Sequence, residues 1–422
     1  MQLIADLHVH SKYSRATAKN LDLENIYIWA QKKGIALIGT GDCTHPAWFA
    51  EIQTKLIEAE PGLFQLKPEL AKSCDQQVPV ACRGLVRFIL QGEISNIYKK
   101  NNRVRKNHQL VFFPDLKSLS VFNSKLDAIG NIKSDGRPIL GLDAKHLLEI
   151  LLEATEQAFL IPAHIWTPWF SVLGSKSGFD SLQECFEDLS QEIFAAETGL
   201  SSDPPMNWRV SELDRITLVS NSDAHSPANL GRNANLFDID LSYFALKAAL
   251  KTKDLKKCLG TFDMYPEEGK YHLDGHRKCS VCLHPTDTIK NKDLCPTCGK
   301  ALTIGVLYRV ETLANRPDGA KPANALPCTH IIPLPEILSE IYQCGVKSKK
   351  VQTRYDGVLQ ILGSELNILS SLSLAEIEKA NIPLLAEAIQ RMRNAKIYIQ
   401  PGYDGEFGKI KVFRPEELRD VK

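Results

Sequence analysis

Seven short apolar runs punctuate the first 230 residues, and nearly every one ends in, or just before, a side chain able to bind a metal. They are LIADLHV, ALIGTGD, VRFILQGEI, LVFFP, FLIPAH, IFAAETG and ITLVSNSD. Runs of this length, rich in Ile, Leu, Val and Phe, read as buried strands. Segments with helical spacing, such as Leu21 to Lys33 and Ala144 to Ala158, lie between most of them. That alternation predicts an α/β domain with a parallel sheet, open or closed into a barrel. The ligand placement favours the barrel. A (β/α) barrel builds its site where the C-terminal ends of its strands meet, whereas a doubly wound sheet uses one switch point.

His8 and His10 follow the first run two residues apart, a spacing that aims both imidazoles to one side of a strand. Asp42, Glu93, His108, His164 and Glu197 follow at later strand ends, and Asp223 with His225 repeats the two-apart spacing. Singly, each has a plain structural role: a helix cap, a hydrogen-bonded core histidine, a partner for arginine. Together at one mouth they bury more charge than an interior tolerates unless cations compensate it. Imidazole mixed with carboxylate favours zinc, manganese or iron over the all-oxygen preferences of magnesium and calcium. Ions held close by a bridging carboxylate suit phosphoester hydrolysis.

After Tyr265-Pro266 the pattern changes. Four of the eleven cysteines, Cys279, Cys282, Cys295 and Cys298, form C-x2-C-x12-C-x2-C in a segment poor in apolar residues. Two such thiolate pairs fill a tetrahedral shell, so a structural Zn ribbon is expected there, its metal supplying much of the folding energy. A Pro-rich linker, RPDGAKPANALPC, precedes a helical region, in which Ser373 stands three residues before Glu376 at capping-box spacing. IYIQPGYDGEFGKIKVF reads as two strands round a Gly-rich turn. The expected division is a barrel over 1–265, a zinc ribbon over 266–311 and a small, mostly helical DNA-binding domain over 312–422.

The formal net charge of +1 predicts no global attraction to nucleic acid, so any such binding uses local patches. One patch, Lys99, Lys100, Arg103, Arg105 and Lys106, lies immediately before His108; a second includes Lys349 and Lys350. Trp166 and Trp169 follow His164 and are candidates for stacking on bases. No apolar stretch is long enough to span a bilayer and no leader precedes the first run. The expectation is a cytoplasmic protein with no membrane role; protein partners are unknown.

The motifs DLHVHS and SDAHS, with the strand-end glutamate and mid-chain histidines between them, resemble the polymerase and histidinol phosphatase (PHP) superfamily over roughly residues 1–260. The resemblance implies a distorted seven-stranded (β/α)7 PHP barrel holding two or three divalent metals, Zn, Mn or Mg. It implies that His8 and His10 bind one ion, Glu93 bridges, Asp223 closes the site, His108 and His164 hold a second ion, and His225 serves a third. Two departures stand out. Ala16 occupies a position where the superfamily often carries a ligand, and TGDCTH replaces the usual TDH, making Asp42 the candidate rather than His45.

PGYDGEFG resembles a motif near the C-terminus of superfamily-one DNA helicases, which makes Tyr403 a candidate DNA contact. No G-x-x-x-x-G-K-[ST] loop occurs, so a helicase is excluded. TGDCTHPAWF, PAHIWTPWFS, ETGLSSDPPMNW and NSDAHSPANLGR, with the order of the three parts, make the chain similar to the endonuclease Q family of DNA-repair nucleases. That similarity implies metal-dependent cleavage of DNA 5′ to deaminated bases (uracil, hypoxanthine, xanthine) and to abasic sites. Asp223 and Glu93 would be catalytic, and Asp203 would orient water or line the site. The alternatives are a PHP-type phosphatase acting on a small phosphomonoester and a non-catalytic nucleic-acid-binding protein.

Overall fold

A computed structural model describes residues 1–418. All seven apolar runs form strands, and the strand Gln2–Asp6 sits inside a mixed sheet. It pairs in parallel with Leu37–Gly39 and antiparallel with Ala234–Asp238. Leu37–Gly39 continues in parallel to Arg87–Lys100.

There the expectation of a wholly parallel sheet gives way. Arg87–Lys100 and Arg103–Phe113 form one long antiparallel hairpin, with Lys100 opposite Arg103. Asn101 and Asn102 make its turn, both at positive φ (52° and 58°). A two-residue loop of that hand matches the twist of the flanking strands, and Asn tolerates the left-handed region better than most residues. Phe159–Pro162 adds antiparallel to the second arm.

Ala195–Glu197 and Thr217–Val219 pair in parallel as a separate two-stranded unit. Ile165 N–H donates to Glu197 O at 3.0 Å on one side of it, and His10 N–H donates to Ala224 O at 3.2 Å on the other. The pairings therefore lead round from the first strand back to its own end. Leu3, Ala5, Leu7, Leu37, Ile89, Leu110, Ile161, Ala195 and Val219 belong to one buried apolar cluster beneath that end. Alternation along each strand gives the sheet this inward face.

The helix Leu23–Lys33 shows how the sequence sets an element: Asp22 accepts from Asn25 N–H at its start, and Gly34 at φ 86° ends it. Its last residue carries a tie to the C-terminal helices. Buried Lys33 places Nζ 2.6 Å from Glu365 Oε2, which also accepts from Tyr355 Oη at 2.7 Å. Trp29 stacks on Tyr355 beside this pair.

The segment boundaries are less clean than expected. Cys328–His330 lies beyond the boundary placed at 311/312, yet it pairs in parallel with Cys258–Asp263 at the edge of the main sheet. The segment between these two strands therefore leaves the main sheet and returns to its edge. The capping box at Ser373 and Glu376 is present, and Tyr398–Gln400 pairs antiparallel with Lys409–Lys411 round the Gly-rich turn. Among the described residues, no helix is long and apolar enough to cross a membrane.

Candidate metal centre

The first strand ends at Asp6, and the extended chain beyond it delivers His8 and His10 to the end of the sheet, both completely buried. Nδ1 of His8 lies 3.0 and 3.1 Å from the two carboxylate oxygens of Glu197. Nδ1 of His10 lies 3.0 Å from Asp42 Oδ1. A carboxylate against Nδ1 fixes the tautomer, so that each ring presents Nε2 on its other side. Nε2 of His10 comes within 3.0 Å of Asp223 Oδ1, and Nε2 of His8 stands 3.5 Å from that same oxygen. His8, His10 and Asp223 thus form one group whose ligand atoms lie within 4.8 Å of one another.

Glu93, His108 and His164 form a second such group. Glu93 Oε1 is 2.8 Å from His108 Nδ1 and 3.3 Å from His164 Nε2. Its other oxygen, Oε2, is 3.3 Å from His10 Nε2. One carboxylate therefore reaches both groups. The long hairpin makes this possible, because Glu93 and His108 lie on its two arms within two residues of direct opposition.

Several observations fit these groups to divalent cations. His8 Nε2 is buried without a hydrogen-bond partner, although it points at two carboxylates. A buried imidazole nitrogen costs free energy unless something is bound to it. Burial opposes charge on both histidines, yet the carboxylates round them hold His8 and His10 well above the ordinary histidine range. Burial likewise opposes charge on Glu93, but His108, Arg137 and His8 hold its carboxyl well below the usual range. The pocket is built to bind positive charge, as protons or as metal.

Asp42 and Glu197 belong to neither group. Asp42 spends its second oxygen on Ser11 N–H at 2.7 Å and on the hydroxyls of Ser11 and Ser14. Glu197 also accepts from His164 N–H at 2.8 Å and from Asn221 Nδ2 at 2.9 Å. Both orient histidines from behind, where direct ligation was expected. His225 packs with its ring 4.5 Å from that of His10 but joins neither group. Asp203 stands apart from the centre: it caps the helix Pro204–Asn207 and accepts from His330 Nε2 at 2.9 Å.

Sequence reasoning missed Arg137. Its Nη1 lies 3.2 Å from Glu93 Oε2, with about a quarter of the side chain exposed (26%). It lies in SDGRP, outside every apolar run, so strand-end logic passes over it.

The expected nucleic-acid residues divide. Lys99 and Arg103 are exposed near the hairpin tip, and Lys106 lies over the ring of Phe170 at 5.5 Å. Lys106 shares a strand face with His108, two residues on. Lys100 is taken up by Asp143 and Glu187, while Arg105 is buried, bonded to Gly178 O and stacked on Phe179. Trp166 is a core residue donating to Asn207 Oδ1 at 2.7 Å, whereas Trp169 is 47% exposed and meets Tyr271 edge-on. Lys349 and Lys350 open the helix Lys349–Leu362, and Tyr403 packs against Gly275 in the ribbon.

In the segment expected to form the ribbon, ligand atoms of His276, Cys279, Cys295 and Cys298 lie within 4.8 Å of one another. Cys282, expected in that shell, is not brought to it.

The MJ0043 C-terminal domain family matches residues 333–396. The protein YqxK of Bacillus subtilis is 30% identical over 429 residues, covering 97% of this chain and 99% of its own. MJ0043 of Methanocaldococcus jannaschii is 35% identical over 263 residues, 60% of this chain. That match spans only 32% of MJ0043. The structure of the lesion-specific endonuclease PfuEndoQ from Pyrococcus furiosus aligns with a TM-score of 0.84 and 31% identity, covering 100% of both chains. An endonuclease Q bound to a 27-mer duplex with an abasic lesion at its active site aligns at 0.83 and 31%, covering 100% of this chain and 99% of that one. The chain belongs to the endonuclease Q family of metal-dependent endonucleases.

Proposed function

We propose that this protein cuts the DNA backbone on the 5′ side of deaminated bases (uracil, hypoxanthine or xanthine) and of abasic sites, leaving a 3′-hydroxyl and a 5′-phosphate. One observation carries the reading: a chain similar to endonuclease Q over its whole length keeps a single carboxylate, Glu93, within reach of two ligand groups. We read the ring of strand pairings as the distorted seven-stranded PHP barrel, with the groups at its mouth.

In this reading His8, His10 and Asp223 hold one divalent ion and His108 with His164 a second, Glu93 bridging them. Such ions, Zn, Mn or Mg, supply Lewis acidity for water activation and for the charge developing on the phosphoryl oxygens. The protein's own part is orientation. Glu197 and Asp42 set the two histidine tautomers, and the apolar cluster below the mouth keeps the floor dry. Arg137 offers a guanidinium to phosphate oxygens at the rim. Lys106 and Trp169 flank the mouth, suited to a phosphate and a base respectively. Reading one damaged base in a duplex requires turning it out of the stack.

The test uses duplexes that carry one uracil, one hypoxanthine, one abasic site or no lesion, with Mn²⁺ or Mg²⁺. Cleavage confined to lesion strands supports the proposal; equal cutting of all four, or hydrolysis of phosphomonoesters alone, overturns it. Asp223→Asn is expected to abolish cleavage while sparing most DNA binding.

A further inference from the structure

The cysteine spacing suggests four sulfurs round the ribbon metal, but the backbone builds a different shell. The hairpin Asp274–His276 with Val281–Leu283 sets Gly275 opposite Cys282 and His276 opposite Val281. Residues directly opposite on an antiparallel pair share a face, and neighbours along a strand take opposite faces. His276 and Cys282 therefore point to opposite sides of the hairpin.

What covers each side is different. On the Gly275–Cys282 side lies Tyr403, so close that a Cβ on Gly275 would meet its ring at 2.3 Å. Asp404 fastens that turn in place, accepting from Arg277 N–H at 2.6 Å and from the Thr303 hydroxyl at 2.5 Å. On the other side His276 brings Nδ1 to 3.4 Å from Cys298 Sγ, with Cys279 and Cys295 completing the set. Cys282 is left exposed.

The two halves of this set repeat one local form. Cys295-Pro-Thr-Cys298 is followed by Gly299 at φ +71°, and His276-Arg-Lys-Cys279 is followed by Ser280 at φ 53°. Each is a ligand, two spacers, a ligand and a left-handed residue that turns the chain away. A tetrahedral ion whose ligands stand at roughly 2.0–2.3 Å requires this kind of paired bite. The knuckle is thus H-x2-C, one step upstream of the C-x2-C that the eye selects.

We infer that the ribbon zinc is bound by His276, Cys279, Cys295 and Cys298, with Cys282 outside the shell as a free thiol. The donor set fits zinc, a borderline ion that accepts three thiolates and an imidazole. The barrel groups contain no sulfur, so thiolate-to-metal charge transfer reports on the ribbon alone.

The experiment uses the full chain loaded with Co²⁺ and read by its absorption spectrum. Cys282→Ser is expected to leave the charge-transfer intensity and ribbon affinity unchanged. His276→Ala is expected to keep the thiolate band but weaken ribbon binding at least about tenfold. His276→Cys should restore binding and raise the band by about a third, as three thiolates become four. In wild-type protein holding its zinc, one exposed thiol should react rapidly with a disulfide reagent and be absent from Cys282→Ser. Loss of about a quarter of the band in Cys282→Ser, or protection of Cys282 by zinc in the wild type, overturns the assignment. None of these readouts passes through DNA cleavage, so a failure here is separable from a failure of the proposed activity.

Discussion

Glu197 holds both carboxylate oxygens within 3.1 Å of His8 Nδ1, which leaves Nε2 of that ring turned toward Glu93 and Asp223. The contact decides which nitrogen is offered to a metal. Glu197→Ala is expected to lower metal affinity or cleavage rate about 10–100-fold. Glu197→Gln, which keeps the shape and an acceptor oxygen, should lose less. Metal titration followed by cleavage assays on both variants checks the order.

Arg137 hydrogen-bonds to Glu93, the carboxylate within reach of both ligand groups, and it remains partly open to solvent. A positioned donor at a developing phosphoryl charge contributes on the order of 10²–10³ in rate. Arg137→Ala should reduce turnover by that order, whereas Arg137→Lys retains charge without the planar fork and should fall between. Single-turnover cleavage rates at saturating enzyme distinguish the three.

Lys33 and Glu365 join the first domain to the C-terminal helices through a fully desolvated ion pair. Removing one partner leaves a buried charge uncompensated, at a cost of about 3–5 kcal/mol. Lys33→Met should lower the urea midpoint accordingly while metal content stays unchanged.

Glu336 supplies a pH signature away from the metal centre. Burial, with Glu268 and Glu365 nearby, raises its pKa to about 7 from the usual 4.5. The folded protein keeps this proton where the unfolded chain has lost it. Stability should therefore decline as pH rises from about 4.5 to about 7 and level off above, by up to about 3 kcal/mol from this group. Glu336→Gln should flatten that part of the profile in urea denaturation measured across the range.

Strand positions and the convergence of His8, His10, Glu93, His108, His164 and Asp223 were legible because apolar runs and ligand residues are local signals. What stayed hidden depended on pairing. The Asn101-Asn102 turn converts two apparent parallel strands into a hairpin, and only the hairpin sets Glu93 beside His108. Asp42 and Glu197 carry the residue types of ligands, and only their direction of approach makes them supports. Arg105 and Trp166 have the chemistry of DNA contacts but fill the interior. Cys282 lies on the hairpin face away from His276 for a similar reason, since spacing counts residues while register decides faces.

Cys258–Asp263 and Cys328–His330 are neighbouring strands, so the polypeptide between them begins and finishes at the same place. A module moored at both ends cannot swing like one on a single tether. Arg309, on the helix after the second cysteine pair, anchors it further by donating to the carbonyls of Leu173 and Phe179 in the loop downstream of His164. Removing the metal proposed for the ribbon should then slacken the rim of the mouth, even though none of the ribbon cysteines joins the two histidine–carboxylate groups.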